Sequence, residues 1–202
     1  MKSEELDFEK TSLLTSLRFS LVMLGLCGIA YSGATTAVGG LLFPEQAKGS
    51  LIERDGRVVG SVLIGQPFAG TNYFHSRPSA VAYDPTGTGG SNLGPANPEL
   101  RERVAADSAS IQQREGVKAE QIPVDLLAAS GAGLDPHISP AAAKLQMARV
   151  AKARGLSETQ VAELVASHTE GKQLGVFGQP RVNVLLLNLA LDALPAPVAA
   201  VN

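Results

Sequence analysis

Residues 19–43, FSLVMLGLCGIAYSGATTAVGGLLF, decide the architecture of this chain. The stretch contains no charged residue, and it is bounded by Arg18 on one side and by Pro44 and Glu45 on the other. A helix of this length reaches roughly 37 Å, which is enough to cross a hydrocarbon core about 30 Å thick with some tilt. The stretch therefore predicts a single transmembrane helix over residues 19–43.

Two other interpretations fit this stretch less well. A secretory signal peptide has a basic leader and a shorter apolar core, whereas residues 1–18 carry three basic and four acidic residues. A buried helix of a soluble domain usually carries polar residues along one face, and this helix has no charged residue on any face. We therefore expect an uncleaved anchor that follows an N-terminal leader, residues 1–18.

A ladder of small residues recurs every fourth position within the predicted helix. It consists of Gly28, Ser32, Thr36 and Gly40. Small residues let helix backbones approach closely in a membrane, where no hydrophobic force drives helices together. They are also common in membrane helices in general. We favour the first interpretation, in which the ladder is the interface with a partner helix.

The rest of the chain has the size of one domain, residues 44–194, followed by a Pro- and Ala-rich tail, residues 195–202, which we expect to be disordered. Residues 44–202 carry 14 of the 17 basic and 15 of the 19 acidic residues. This near-neutral balance argues against nucleic acid or an anionic membrane surface as the partner of the domain. The single cysteine, Cys27, lies in the anchor, so disulfides and thiolate metal sites are excluded from the domain.

Local signals predict a domain with a small β-sheet and several helices, and hence the α+β class. Asp55-Gly56 lies between apolar pairs and predicts a hairpin, with a strand that continues through residues 61–64. Residues 124–129 fit either a strand or the start of a helix. Helices are predicted after Asn97-Pro98 as far as Gly116, from Ser139-Pro140 to Gly155, after the Ser157/Gln160 capping box, and over residues 183–194.

A long segment rich in Gly, Pro, Asn and Ser, residues 66–98, separates the hairpin from the first of these helices. Loops of this length inside a compact domain are usually functional surfaces, and otherwise disordered. Its glycine-rich part, TGTGGSNLG, lacks the Gly-Lys-Ser/Thr of a phosphate loop and is followed by Pro95 and Pro98. We therefore interpret it as a turn-rich loop.

The strongest candidate for chemistry is the segment GAGLDPHISP, in which Asp135 and His137 lie close to Ser130 and Ser139. This grouping raises the hypothesis of a membrane-tethered hydrolase. The alternative is structural, because Pro136 and Pro140 form a rigid turn and a serine before a proline caps a helix. The other histidines lack metal-ligand spacing, and His168 on an apolar stripe is predicted to be a core residue. We predict no catalytic, cofactor-binding or metal-binding residue.

Several blocks of the sequence resemble one protein family. They are LIGQPF, YFHSRPSA, GTGGSNLGPANPEL, PVDLLAASGAGLDPHISPAAA, QMARVAKARGLSETQV and HTEGKQLGVFGQPRVNVLLLNLALD. In this order, after one N-terminal anchor, they resemble the C subunit of the Kdp-type potassium-transporting ATPase. The resemblance covers residues 17–194 and leaves out the acidic leader and the tail.

The resemblance implies an accessory subunit of a potassium-uptake complex in the bacterial inner membrane. Its partners would be a channel-like potassium-binding subunit, a P-type ATPase subunit and a small single-helix subunit. The complex would handle ATP and potassium, and the family's C subunit is described as a chaperone that raises the ATP affinity of the ATPase subunit. Together with Arg18 beside the helix, the resemblance implies a cytoplasmic N-terminus and an extracytoplasmic domain. Asn92, Asp135 and His137 are our candidates for structural or partner-contact loops.

Overall fold

The computed structural model describes residues 2–194, with the side chains of residues 12–194. By its internal contacts the chain divides into two compact units, residues 1–50 and 51–202. The predicted disorder of residues 195–202 lies outside the described residues.

The first unit is dominated by a long apolar helix. It runs as α1 (Lys2–Met23), a π-helical segment (Leu24–Tyr31) and α2 (Ser32–Leu42), and the short α3 (Pro44–Ala47) follows. Residues 12–42 are long and apolar enough to cross a membrane, as the sequence predicts for residues 19–43. Such π-helical segments are rare and are frequently found at functional sites. Gly28 lies in the π-helical segment, whereas the other three residues of the small-residue ladder lie in α2.

The second unit begins with the predicted hairpin. Strands β1 (Leu51–Arg54) and β2 (Arg57–Ser61) pair antiparallel, with an irregularity between Ile52 and Glu53. Asp55 and Gly56 have φ of 52° and 73°, the left-handed geometry that a tight hairpin turn requires. The predicted continuation of the strand through residues 61–64 is wrong. The chain turns there, because the Ser61 hydroxyl accepts a hydrogen bond from the Leu63 amide and Ile64 N donates to Ser61 O.

Four helices follow, and the first three begin at the predicted capping signals. The four helices are α4 (Pro98–Glu115), α5 (Pro140–Arg154), α6 (Glu158–Ser167) and α7 (Val184–Ala193). The side chains of Asn97, Ser139, Ser157 and Asn183 each accept a backbone N–H from the first turn of the helix that follows. Two single 3₁₀ turns, Ala119–Gln121 and Val124–Leu126, connect α4 to the next strand, so residues 124–129 contain no strand.

A small antiparallel sheet joins distant parts of the second unit. Its central strand, β5 (Arg181–Asn183), pairs with β3 (His137–Ile138) on one side and with β4 (Thr169–Glu170) on the other. The sheet therefore brings the segment that contains His137 next to the start of α7, because α7 begins directly after β5.

The core of the second unit is built from small and medium apolar side chains on the four helices, together with Phe74 from the long loop. Its fully or nearly fully buried members include Phe74, Ala142, Val150, Val161, Val182, Leu187 and Leu191. His168 is not among them, and the prediction of a core histidine is wrong. His168 is the C-terminal cap of α6 and half-exposed, with Nδ1 2.9 Å from Leu164 O.

Candidate functional site at the Asp135–His137 turn

The first part of the long loop, residues 66–78, is an ordered segment that we call the strap. Because it lacks helix or strand hydrogen bonds of its own, its backbone groups need other partners. Buried side-chain amides from two helices supply them. Asn188 accepts from Phe74 N and donates to Phe74 O, both at 2.9 Å. Gln146 does the same for His75, at 2.7 and 3.1 Å.

A buried ion-pair network fixes the start of the strap. The Arg149 guanidinium donates from Nε to both carboxylate oxygens of Glu115 at 3.0 Å, and from Nη1 to the carbonyl oxygens of Thr71 and Tyr73. Arg114 Nε donates to the same carboxylate at 2.8 Å. The Glu115 side chain is 1% exposed and that of Arg149 is 9% exposed. The strap is therefore held to α4 and α5 by charged groups that solvent barely reaches.

The end of the strap brings Arg77 to the candidate site. Its Nη1 lies 2.9 Å from Asp135 Oδ2, while Nε and Nη2 donate to Ala128 O. The other carboxylate oxygen, Asp135 Oδ1, accepts from His137 N at 3.0 Å and lies 3.3 Å from His137 Nδ1. Asp135 thus joins the strap to the turn that leads into β3.

These contacts lower the pKa of Asp135 to about 2. Partial burial of the carboxyl, the largest influence, acts the other way and would raise the pKa. It is outweighed by the hydrogen bonds from the side chain and backbone of His137 and by the hydrogen bond and charge of Arg77. Asp135 is therefore an ionised structural acceptor at neutral pH.

The two serines near this turn have structural partners. Ser139 Oγ donates to Asp125 Oδ1 at 2.9 Å and accepts from Ala142 N as the N-cap of α5. Ser130 Oγ accepts from the amides of Gly133 and Asp135. Neither hydroxyl is hydrogen-bonded to His137. The pairing of a nucleophile with a base that a serine hydrolase requires is therefore not formed by these residues.

The glycine-rich segment packs closely against the loop that precedes Asp135. Gly89 N donates to Ala132 O at 3.0 Å, and a side chain at Gly90 would come within 3.0 Å of Gly131 O. Gly133 has a φ of +74°, and a Cβ there would collide with Val81 and lie 3.0 Å from Gly89 O. Because the two backbones approach without side chains between them, Gly90 and Gly133 have a packing role.

The structure brings some of the predicted site residues together and leaves others apart. Asp135 and His137 are in contact, whereas Asn92 lies exposed in the left-handed region, with a φ of +52°, and no hydrogen bond joins it to either of them. Sequence reasoning missed the polar residues that hold the strap and the turn. They are Arg77, Asp125, Glu115, Arg149, Gln146 and Asn188. Of these, Asn188 had a usable signal, since a single Asn within an apolar helical run indicates a buried group with a specific partner.

A shallow cleft of about 440 Å³ opens beside the turn, with Arg77, Asp125, Asp135, His137 and Arg181 in its wall. Both arginines form ion pairs, Arg77 with Asp135 and Arg181 with Glu170, and the Asp125 carboxylate accepts hydrogen bonds from Ser139 N and Oγ. In the part of the chain that the structure describes, no group of three or more His, Cys, Asp or Glu side chains is arranged to hold a metal ion.

We expect Asp135→Asn to destabilise the folded protein by about 2 kcal/mol at pH 6. The folded-state pKa of Asp135 lies below its ordinary value of 3.8, so this stabilisation is present above pH 4–5 and is lost as pH falls towards about 2. Urea unfolding of both proteins between pH 3 and pH 6 measures the difference. Burial lowers the pKa of His75, so this histidine also makes stability depend on pH. Because both proteins contain it, its contribution cancels when the free energy of unfolding of one protein is subtracted from that of the other.

Glu163→Gln is the control for this measurement, because Glu163 is exposed on α6. We expect the control to follow the wild type at every pH. A stability difference between Asp135→Asn and the wild type that stays constant from pH 6 to pH 3 would contradict the role assigned to the ionised carboxylate.

Comparison with known proteins identifies the family. The family model described as "K+-transporting ATPase, c chain" (KdpC) matches residues 13–193. The protein named potassium-transporting ATPase KdpC subunit in Shewanella putrefaciens is 66% identical over 176 residues, which cover 87% of this chain and 88% of that protein. The proteins of the same name in Gemmatimonas aurantiaca and Sorangium cellulosum are 56% and 54% identical; the alignments cover 94% and 89% of this chain and 98% of each relative. The chain therefore belongs to the KdpC family, the c chain of potassium-transporting ATPases.

Proposed function

We propose that this chain is the accessory subunit of a potassium-transporting ATPase complex and that it acts by assembly rather than by catalysis. The observation that carries the proposal is how the polar groups of the candidate site are used. Arg77, Asp125, Asp135 and Ser139 form internal hydrogen bonds that make a rigid loop surface, and loops on a rigid scaffold are where binding surfaces concentrate. The long apolar helix supports a role as membrane anchor.

In this proposal the chain takes its place beside a channel-like potassium-binding subunit, a P-type ATPase subunit and a small single-helix subunit of a bacterial inner-membrane complex. ATP and potassium are handled by those partners. The ATP-affinity effect implied for the family then arises through assembly, without nucleotide contact by residues 44–194. Asn92, Asp135 and His137 shape the loops from which contact surfaces are built.

The experiment that tests this function is affinity purification of the full-length tagged chain, from membranes that also contain the other subunits. We expect stoichiometric recovery of an ATP-hydrolysing complex, and no ATP binding or hydrolysis by the full-length chain purified alone in detergent. Tight stoichiometric ATP binding by the lone chain would contradict the assembly mechanism. Recovery of the chain without any other subunit would contradict the accessory role and favour the tethered-hydrolase alternative that uses Asp135 and His137.

The same purification tests the small-residue ladder. If Gly28, Ser32, Thr36 and Gly40 face a partner helix, the double substitution Gly28→Leu and Thr36→Leu adds bulk where backbones approach, and recovery of the complex should fall while membrane insertion persists. Gly33→Leu together with Ala37→Leu, on other positions of the same helix, is the control. If both variants recovered the complex equally well, the ladder would not be an interface, and its small residues would reflect the ordinary composition of membrane helices.

We also propose a cytoplasmic N-terminus and an extracytoplasmic domain, on the basis of Arg18 beside the apolar helix and of the family. Single cysteines at Ser3 and Ser157, introduced separately in a Cys27→Ala background, should react differently with a membrane-impermeant maleimide applied to cells with a permeabilised outer membrane. We expect labelling at position 157 and protection at position 3. The opposite pattern would reverse the topology.

A further inference from the structure

The connection between β4 and β5, residues 171–180, is the most exposed apolar feature of the second unit, and we call it the apolar loop. Every residue in it is exposed. Leu174 is 90% exposed, Val176 71% and Phe177 64%. Single exposed apolar residues are ordinary, but three within four positions at the tip of one loop mark a surface that becomes covered.

The loop is a built structure. Gln173 and Phe177 exchange two backbone hydrogen bonds of 2.9 Å, and Gly175 N and Val176 N donate to Lys172 O and Gln173 O. Glu170 and Arg181 form a cross-strand pair at its base, with an ion pair of 2.9 Å. The three apolar side chains are therefore displayed from a closed hairpin, which is organised before it binds.

Leu174 has a φ of +53°, in the left-handed region that β-carbon-bearing residues other than Asn and Asp rarely adopt. An asparagine or glycine would fit this turn with less strain. Strained backbone of this kind clusters at functional sites. The combination of backbone strain with a side chain that packs against nothing in its own domain points to a contact outside the domain.

We propose that the apolar loop is an anchor by which this domain docks on another protein subunit of the transport complex. Leu174, Val176 and Phe177 enter a shallow apolar pocket of that subunit, and carboxylates at the rim of the pocket face Lys172. This proposal rests on the proposed function, because it requires the chain to be part of such a complex. It adds the segment that makes the contact and the chemistry of the surface that receives it.

The charge of the apolar loop favours a protein pocket over a lipid surface as its binding partner. Residues 169–181 contain two cationic side chains, Lys172 and Arg181. Arg181 is paired with Glu170, whereas Lys172 forms no ion pair among the described residues. Loops and helices that bind anionic membranes carry several cations around their apolar side chains. One unpaired lysine beside three apolar side chains matches an apolar pocket with an acidic rim.

The small apolar area of the loop favours another subunit over a second copy of this chain as its binding partner. The three side chains present on the order of a few hundred Å² of apolar surface, whereas a stable interface buries about 800 Å² on each partner. The loop is therefore too small to hold two copies together unaided. It is sufficient as one of two anchors on another subunit, because the small-residue ladder of the apolar helix is proposed to hold the chain to the same complex, which raises the effective concentration of the docking partner.

The test uses the full-length tagged chain produced with the other subunits. The variant Leu174→Asn with Phe177→Ser removes two anchors and relieves the strained turn, so its fold should be retained. Val124→Ser is the matched control, because Val124 is 78% exposed elsewhere in the same unit. We expect the loop variant to recover the ATPase at least about tenfold less efficiently than the wild type, as truncation of central anchors does, and the control to recover it normally.

Photo-crosslinking identifies the occupant. With p-benzoylphenylalanine in place of Phe177, we expect an adduct between this chain and another subunit of the complex. An adduct of two copies of this chain, an adduct with lipid alone, or the absence of any adduct in a fully recovered complex would overturn the proposal. Normal recovery of the ATPase by the loop variant would overturn it as well. Failure of the wild-type chain to recover the ATPase would instead count against the proposed function, so the two failures are distinguishable.

Discussion

Glu115→Ala is expected to lower the free energy of unfolding by about 3–5 kcal/mol, because it leaves the nearly buried Arg149 without its counter-charge. The Glu115 carboxylate is 1% exposed and accepts hydrogen bonds from Arg114 and Arg149. Arg149 is itself 9% exposed and would lose both bonds from its Nε. The measurement is urea unfolding of the full-length chain in detergent, monitored by circular dichroism.

The matched control is Glu170→Ala. Glu170 also pairs with an arginine, Arg181, at 2.9 Å, but the side chains of this pair are 49% and 46% exposed. Exposed ion pairs contribute little, so we expect a change below about 1 kcal/mol. A Glu115→Ala protein no less stable than the Glu170→Ala protein would contradict the role assigned to the buried network.

The expected consequence for the site follows from the strap. Arg149 holds the carbonyl oxygens of Thr71 and Tyr73, and the strap continues from there to Arg77 at Asp135. When the network is broken, amide hydrogen exchange should therefore accelerate in residues 71–78 more than in α6. The turn that contains Asp135 then loses part of its support although the substitution lies on α4.

Parts of this fold could be predicted because their signals are local. The Asp55-Gly56 turn, the N-caps Asn97 and Ser139 and the Ser157 capping box each depend on a few adjacent residues. Such residues satisfy backbone groups that are left free at the ends of helices or permit a φ that other residues avoid. The structure confirms these predictions to within a residue or two.

The strap could not be predicted, because its partners are far away in the sequence. Phe74 N and O bond to Asn188, and His75 N and O bond to Gln146, at separations of 114 and 71 residues. The composition of residues 66–98 is that of a surface loop, and the segment is rich in turn-forming residues. What makes its first part ordered is the set of buried amides and arginines on α4, α5 and α7.

The candidate site could be predicted only in part, because some of its contacts also come from distant segments of the chain. Asp135 and His137 are two residues apart in the sequence, so they form one candidate group there, and in the structure they are in contact. Arg77 and Asp125, which fix this turn, contact it from other segments of the chain. Two-residue strands such as β3 and β4 are too short to leave a periodic pattern, so the sheet that positions His137 carried no local signal.

Gly133→Ala is the second large effect that we expect, with a loss of about 2–5 kcal/mol in the free energy of unfolding. Gly133 combines two constraints. Its φ is +74°, and an added Cβ would collide with Val81 and approach Gly89 O to 3.0 Å. The methyl group would therefore force apart the glycine-rich segment and the loop before Asp135, whose amides share the Ser130 hydroxyl.

Two further substitutions separate the two constraints. Gly116→Ala places a methyl group at a φ of +70° in open space, so it should show the conformational cost alone, about 1 kcal/mol. Gly131→Ala adds a methyl group in the same loop as Gly133, with nothing within 4 Å and no positive φ, and should change stability by less than about 0.5 kcal/mol. Thermal and urea unfolding of the three variants ranks them by their loss in the free energy of unfolding. If Gly133→Ala were no more destabilising than Gly116→Ala, the close packing of the two loops would not be what requires glycine there.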